Sequence, residues 1–516
     1  VTHASHAAVD RNRMHFGTAL SLALYFALML GIGLYAYRRS TDDVSGYMLG
    51  GRKLGPAVTS LSAGASDMSG WMLLGLPGAM YVSGLSASWI AIGLLLGALA
   101  NYLLVAPRLR VYTEVARDAI TIPDFFEKRF EDDSRALRVI SSVVIVIFFT
   151  LYTSSGVVAG GKLFESAFGI NYAIGLYVTA GVVVAYTLFG GFMAVSMTDF
   201  VQGCIMFVAL IMVPLVAFTE LGGAAPTSAA LNDIDPELLN LFGGVGVVGI
   251  ISAMSWGLGY FGQPHIIVRF MAIRSVRDVA AARNIGMTWM FVTIVGALAT
   301  GLVGLAYVTV NGIALDDPET IFIVLSSDLL FNPYVGGFLL AAILAAIMST
   351  ISSQLLVSSS SLTEDFYKIF LRRSAEQGEL VLVGRISVVV VAAVAIALAY
   401  NPDSNVLTLV SNAWAGFGAA FGPIVLLSLF WKGLTRTGAL AGMITGAAVV
   451  LGWIYAPITI EGQSLSSVLY EIVPGFIACF AAAVIVSRLG ANPPESVEAT
   501  FEEMKRVKAE QLSRRD

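Results

Sequence analysis

Long apolar segments separated by short polar connections fill most of the chain. Thirteen of them are close to the length that a helix needs to cross about 30 Å of hydrocarbon. They lie at residues 16–37, 55–82, 86–107, 139–161, 172–190, 193–219, 243–263, 285–311, 334–357, 379–399, 404–431, 437–459 and 466–487. This pattern predicts an all-α integral membrane protein with thirteen transmembrane helices.

The composition supports a membrane protein and excludes an ordinary soluble domain. Of the 516 residues, 57% are hydrophobic and only 13% are charged, which is far from the balance of soluble domains. Cys204 and Cys479 both lie inside apolar segments, so they predict buried thiols and no disulfide framework. The four histidines lack the spacing of a zinc site. We expect a lipid bilayer around the chain and no nucleic acid among its partners.

Lysine and arginine are distributed unevenly between alternate connections. The N-terminal tail and the connections after even-numbered helices hold only three of the 30, which are Arg11, Arg13 and Lys162. Because positive residues collect in cytoplasmic loops, this asymmetry predicts an N-terminus outside and a C-terminus inside the cell. Residues 1–15 are then an extracytoplasmic tail, and residues 488–516 are a cytoplasmic tail.

Two polar segments on the predicted cytoplasmic side favour short helices. In the loop 111–138, Pro123 and Asp124 fit the first turn of an amphipathic helix, and Phe125, Phe126 and Phe130 give it an apolar side. The C-terminal tail alternates acidic and basic residues, which is typical of a charged helix exposed to solvent.

The second apolar run contains an ionisable residue, Asp67, among glycine, serine and alanine. A charge at this depth costs about 2.5–3.5 kcal/mol on insertion scales, so it indicates a functional site. Gly64 and Gly70 bracket Asp67 and favour an unwound backbone. Such backbone is tolerated at membrane depth only inside protein or beside water. We therefore predict that helix 2 is broken and faces a polar interior.

The seventh run is interrupted as well, with three glycines and Pro264 between residues 256 and 264. Proline and glycine at this density break or kink a helix. Helices 2 and 7 are five helices apart, so two five-helix units beginning at them enter the membrane from opposite sides. The pattern predicts an inverted repeat with units 55–220 and 243–431, flanked by the first helix, 16–37, and by helices 12 and 13, 437–487. Matching interruptions indicate a site at the midplane.

Helix 9 carries hydroxyl groups at its centre, at Ser349 and Thr350, next to small residues. Their oxygens suit a hard cation that also binds carbonyls of the broken helix 2. The alternative is that each hydroxyl caps a carbonyl of its own helix and has no further role. Spacing alone leaves both interpretations open.

Several of these segments together resemble one family. The chain is similar to the sodium/solute symporter family from residue 16 to residue 489, with the most specific motifs at residues 50–52, 54–55, 62–71, 256–265 and 345–350. The resemblance implies a LeuT-type inverted-repeat fold with helices 2–6 and 7–11 as the two units. It also implies no enzymatic activity, a location in the bacterial cytoplasmic membrane, and electrogenic uptake of L-proline with Na⁺.

Individual residues take roles from the same resemblance. It implies sodium ligands from the carbonyls of three residues and the hydroxyls of two, namely Ala65, Met68, Ala346, Ser349 and Thr350. It implies substrate-binding or substrate-coupled positions at Ser69, Gly70, Trp71, Tyr152, Trp256, Tyr260 and Pro264. Aromatic walls suit the apolar ring of proline, and helix ends suit its charged groups.

Three charged residues resemble family positions with roles in coupling. Asp67 is similar to an essential acid, although it can also be a carboxylate that only holds the unwound segment. Arg52 resembles a coupling residue, with an ordinary positive anchor as the alternative. Asp199, in helix 6, resembles a second acid needed for sodium-dependent transport.

Other functions remain open at this point. A different solute in the same fold, such as pantothenate or a sugar, would be revealed by competition against proline uptake. Proton coupling through Asp67 or Asp199 would be revealed by uptake that persists without Na⁺ and follows a pH gradient. A membrane sensor that does not transport is disfavoured, because no soluble domain follows helix 13.

Overall fold

The computed structural model describes residues 15–38, 44–327, 330–401 and 405–513. The predicted extracytoplasmic tail, 1–15, therefore lies outside the described residues except for His15, which precedes the first helix. The first ten helices are α1 Phe16–Tyr37, α2 Val44–Leu49, α3 Pro56–Asp67, α4 Leu76–Ser83, α5 Ser88–Ala100, α6 Ala106–Val115, α7 Ile122–Phe130, α8 Ala136–Phe168, α9 Tyr172–Glu220 and α10 Ala224–Ile234.

The remaining helices follow in chain order up to residue 513. They are α11 Val247–Met254, α12 Pro264–Ala272, α13 Asp278–Val310, α14 Ile321–Ser326, α15 Pro333–Ser360, α16 Gln377–Leu398, α17 Val406–Phe430, α18 Arg436–Tyr455, α19 Leu465–Val468, α20 Ile472–Leu489 and α21 Glu495–Ser513. A small hairpin joins β1 Thr459–Ile460 to β2 Gln463–Ser464. Three π-helical segments occur at Trp71–Gly75, Asn101–Val105 and Ser361–Leu371.

The helices fall on the predicted apolar runs. Within the described residues, ten helical segments are long and apolar enough to cross a membrane, and two shorter apolar helices occur at Tyr172–Leu188 and Val247–Phe261. The all-α membrane architecture is thereby confirmed, while the count of thirteen spans stays a prediction. The predicted runs 172–190 and 193–219 correspond to two helical segments within α9, separated by a kink at Gly191, whose φ of 56° and ψ of −153° are not helical.

Both predicted interruptions are present. The α-helical part of helix 2 ends at Asp67. The backbone is non-helical at Met68, with φ −79° and ψ 72°, and becomes helical again in the π turn Trp71–Gly75, which leads into α4. Helix 7 runs from α11 through the 3-10 segment Ser255–Phe261 to α12. The apolar segment Val247–Phe261 ends close to the predicted boundary at residue 263, and the buried helix α12 follows directly, up to Ala272.

Close backbone contact holds α5 against the 3-10 segment of helix 7. A Cβ atom added to Gly97 would lie 2.2 Å from the carbonyl oxygen of Gly257, and one added to Gly93 would lie 2.2 Å from that of Met254. Any side chain larger than hydrogen is excluded at these distances. The two glycines therefore fix the position of the segment that carries Trp256 and Tyr260.

A parallel backbone bridge joins the start of α3 to the end of α12. The Leu54 amide donates to the carbonyl of Ala272 at 3.2 Å, and the Arg274 amide donates to the carbonyl of Leu54 at 2.9 Å. The first bond gives the carbonyl of Ala272, at the end of α12, a partner that its own helix cannot supply. Both bonds also hold the two interrupted helices together at this end of the molecule.

The predicted amphipathic helix in loop 111–138 is α7, capped by Thr121, whose hydroxyl accepts from the amide of Asp124 at 3.1 Å. The prediction of a charged C-terminal helix is confirmed by α21, but the expectation that it is only solvated is wrong. Val497, Phe501 and Met504 are buried, and the Phe501 ring meets Tyr112 edge-on at 6.2 Å. At the rim, the hydrogen bond from Lys432 to Glu498 raises the pKa of the Lys432 ammonium.

Candidate functional site

Oxygen atoms from α3 and α15 converge at the buried contact between these two helices. The Ser349 hydroxyl donates to the carbonyl of Ala65 at 2.7 Å and to that of Ala346 at 3.0 Å. The Thr350 hydroxyl donates to the same Ala346 carbonyl at 3.2 Å. All four residues are buried. Four of the five predicted sodium ligands thus form one cluster of the oxygen type that hard cations prefer.

The fifth predicted ligand, Met68, is the first residue beyond α3. Its amide donates to the carbonyl of Gly64 at 2.9 Å, while its non-helical ψ of 72° turns its own carbonyl out of the helical direction. Because α3 ends here, carbonyls of its last turn have no partner further along the helix. Helix ends of this kind supply cation ligands in transporters with broken helices.

Asp67 links the two interrupted helices. It is buried, and its Oδ2 accepts a hydrogen bond from the hydroxyl of Tyr260 on the 3-10 segment of helix 7. Its main-chain carbonyl accepts from the indole of Trp71 at 3.1 Å and from the amide of Ser69 at 2.9 Å. The carboxylate and the carbonyl of one residue therefore hold both breaks in place.

Aromatic residues line the segment beside these breaks. The rings of Trp71 and Trp256 lie 6.4 Å apart, and Trp256 stacks on Tyr470 at 5.3 Å. The indole of Trp414 donates to the carbonyl of Trp256 at 2.8 Å and its ring meets Tyr260 edge-on at 5.2 Å. Neither Trp414, on α17, nor Tyr470, in the connection between α19 and α20, was identified from the sequence, because no motif surrounds either residue.

The remaining predicted substrate positions surround this aromatic group. Tyr152 on α8 meets His265 edge-on at 6.1 Å, next to Pro264, the first residue of α12. Gly70 packs against α8 and α15, since a Cβ on it would lie 2.9 Å from that of Ala159. Ser69 is buried in the turn, where its hydroxyl accepts from the amide of Trp71 at 3.4 Å.

Asp199 belongs to a buried ion pair that joins four helices. Its Oδ2 lies 3.1 Å from Nη2 of Arg269, and both side chains are fully buried. Ser62 donates to the same oxygen at 2.7 Å, and Arg269 donates to the Ser353 hydroxyl at 2.6 Å. Arg269 lies beyond the predicted apolar run 243–263, in what the pattern leaves as a connection, but α12 carries it into the core between α3, α9 and α15.

Arg52 makes more contacts than a surface anchor. Its guanidinium donates to the carbonyls of Ala119 and Met271, both at 2.7 Å, and forms an ion pair with Asp118 at 2.9 Å. Arg52 therefore ties the end of α12 to the segment before α7. Arg110 supports the same helix end by donating to the carbonyl of Ile273 at 2.6 Å.

Residues 47–446 match the family model described as the Sodium:solute symporter family. The chain belongs to this family. Membership places it among transport proteins and not among enzymes. The "Osmoregulated proline transporter OpuE" of Bacillus subtilis is 58% identical over 488 residues, covering 95% of this chain and 98% of the relative. The "Sodium/proline symporter" of Staphylococcus aureus strain JH9 is 56% identical over 504 residues, covering 97% of each.

A solved structure of another symporter shows the same architecture. The substrate-bound, outward-open structure of a Na⁺-coupled sialic acid symporter superposes with a TM-score of 0.77 at 20% identity, covering 93% of this chain and 99% of the other. This similarity confirms the predicted LeuT-type fold. The roles of the individual sodium and substrate residues remain predictions at this point.

Proposed function

We propose that the protein is a secondary active symporter that couples Na⁺ entry to the uptake of L-proline by alternating access. The observation that carries the proposal is the cluster of Ala65, Ala346, Ser349 and Thr350 oxygens between the broken helix and α15. The names of relatives at 56–58% identity support proline as the substrate.

Na⁺ binds to the oxygen cluster as one of the two substrates, with Met68 as its fifth ligand. Occupancy fixes the end of α3 and the adjoining turn, 68–70, so that proline binds beside it. The apolar ring of proline packs against the side chains of Trp71, Tyr152, Trp256 and Tyr260. The helix ends face the charged groups of proline. The coupling is reciprocal, because each ligand changes the affinity of the other by the same factor.

The membrane potential drives accumulation because one net positive charge moves inward with each neutral proline. One elementary charge moving through 100 mV gains about 2.3 kcal/mol. At about 1.4 kcal/mol for each tenfold change, this energy supports accumulation of roughly fortyfold. A sodium gradient adds to this figure.

Uptake of labelled proline into liposomes, with and without a sodium gradient, tests the proposed function. Na⁺-dependent accumulation is the expected result. Absence of proline uptake, together with Na⁺-dependent uptake of labelled pantothenate or sugar, would assign another solute. Uptake that ignores Na⁺ and follows a pH gradient would assign proton coupling.

Removing the Ser349 or Thr350 hydroxyl should raise the Na⁺ concentration for half-maximal uptake. We expect a shift of about tenfold for Ser349→Ala or Thr350→Val, which corresponds to about 1.4 kcal/mol for one lost ligand. The maximal rate at saturating Na⁺ should change less. The measurement is initial proline uptake as a function of external Na⁺.

Ser359→Ala is the matched control for these variants. Ser359 lies on the same helix and is equally buried, but its hydroxyl bonds the carbonyl of Leu356 in its own helix. Its Na⁺ dependence should match that of the wild type. If Ser349→Ala and Thr350→Val also match the wild type at limiting Na⁺, the cation binds elsewhere.

The chain lies in the bacterial cytoplasmic membrane with its N-terminus outside and α21 in the cytoplasm. Residues 55–220 and 243–431 are its two inverted repeat units. A cysteine introduced at Glu503 in α21, on a background without Cys204 and Cys479, tests the orientation. A thiol reagent that cannot cross membranes should label it in inside-out vesicles and not in intact cells. The reverse labelling pattern would invert the topology.

A further inference from the structure

A small cavity lies beside Asp67, between α3, α5, the interrupted helix 7 and α13. Its polar lining consists of Ser60, Asp67, Asn101, Tyr102 and Tyr260, and the rest is apolar. The volume open to a water molecule in it is about 30 Å³, which is enough for at least one water. Asp67 reaches it from a face of α3 that also carries Ser60 and Gly64, seven and three residues earlier.

Two buried side chains that line this cavity have polar atoms without a hydrogen-bond partner among the described residues. They are Oδ1 of Asp67 and both Oδ1 and Nδ2 of Asn101. Each side chain belongs to a residue that is only 1% exposed. Polar groups left unpaired in such surroundings cost about 1–3 kcal/mol each, so three of them around one cavity require an explanation.

We propose that the cavity binds an ordered water molecule that bridges Asn101 to Asp67, and that Asn101 is thereby a positioning residue for sodium binding. Water suits the site because it both donates and accepts. It donates one hydrogen to Oδ1 of Asp67 and the other to Oδ1 of Asn101, and it accepts from Nδ2 of Asn101, so that all three atoms gain a partner. A cation would satisfy the oxygens but leave the Asn101 amide donor unpaired. The inference rests on the proposed symport function.

The water bridge completes the support of the turn that carries the sodium ligands. Tyr260 already holds Oδ2 of Asp67, and the water holds the other oxygen. Asp67 lies between Ala65 and Met68, so its side chain sets where their carbonyls point. Asn101 also begins a π-helical turn, a feature that is frequent at functional sites.

Replacing Asn101 tests the bridge. Asn101→Leu keeps a similar volume and removes both polar groups, so we expect the Na⁺ concentration for half-maximal proline uptake to rise about tenfold. The maximal rate at saturating Na⁺ should remain within about twofold. Asn101→Ser retains a hydroxyl that can bind the water and should restore most of the Na⁺ affinity. Thr300→Val, which removes a buried hydroxyl bonded within α13, should leave Na⁺ dependence unchanged.

The outcomes separate the bridge from a structural role. If Asn101→Leu lowers the maximal rate and the amount of folded protein while Na⁺ affinity stays constant, Asn101 is structural and the proposal is wrong. If wild-type protein transports two Na⁺ per proline and Asn101→Leu transports one, the cavity holds a cation and the water is excluded.

A crystal structure of the wild-type protein, at a resolution sufficient to place ordered water molecules, provides a readout that does not depend on the transported solute. Density within hydrogen-bond distance of both Asp67 and Asn101 supports the bridge, and a cavity without it overturns the bridge. This result stands even if wild-type protein fails to take up proline with Na⁺. Such a failure would contradict the proposed function alone.

Discussion

Arg269→Met is expected to remove most of the folded transporter and to reduce proline uptake below detection. The substitution leaves the Asp199 carboxylate buried without its counter-charge. Breaking a buried pair from one side costs about 3–5 kcal/mol, which is a large part of the stability of an ordinary domain. The measurement is the yield of monodisperse protein and its Tm in detergent.

The double variant Asp199→Asn/Arg269→Met separates lost charge balance from lost packing. Both charges are then absent, so the double variant should regain part of the stability that the single variant loses. Arg274→Met is the matched control, because Arg274 forms an exposed ion pair with Asp278. Exposed pairs contribute about 0–1 kcal/mol, so its Tm should hardly change. A double variant as unstable as Arg269→Met would show that charge balance is not the cause.

Gly97→Ala should displace the 3-10 segment of helix 7 and abolish proline uptake. The new methyl group would lie 2.2 Å from the carbonyl oxygen of Gly257, and backbone cannot move aside as a side chain can. Overpacking of a core costs about 1–3 kcal/mol, and a backbone obstacle places this case at the upper end. We expect a lower Tm and a loss of proline binding, since Trp256 and Tyr260 move with the segment.

Gly181→Ala provides the comparison within a transmembrane helix. No atom lies within 4 Å of the Cβ position at Gly181, and alanine favours the helix by about 1 kcal/mol. This variant should transport normally and be at least as stable as the wild type. Normal proline uptake by Gly97→Ala would show that α5 and helix 7 tolerate separation, contrary to their close contact here.

The membrane makes much of this architecture predictable from sequence. The interruptions at Asp67 and Gly262 were predictable because glycine, proline and an acid inside an apolar run leave few alternatives in hydrocarbon. The hydroxyls of Ser349 and Thr350 were predictable as candidates, although spacing alone did not separate a cation site from simple capping. Here Ser349 bonds both across to the carbonyl of Ala65 and to that of Ala346 in its own helix, so the contacts fit both interpretations and the cation site stays a prediction.

Long-range partners were not predictable. Tyr260 bonds Asp67 from 193 residues away, and Arg269 reaches Ser353 over 84 residues. No local pattern records such pairs. The buried position of Arg269 was not predictable for a further reason. A positive residue just beyond an apolar run usually indicates a loop, whereas the pairing of Arg269 with Asp199 allows it to lie inside the protein.

The backbone bridge at Leu54 constrains how one end of the transporter can open. Leu54 is bonded through its amide to Ala272 and through its carbonyl to Arg274, and Arg52 adds a further bond to Met271. A displacement of α3 at this end is therefore also a displacement of α12. A ligand path between these two helices at this end would require all three of these hydrogen bonds to break.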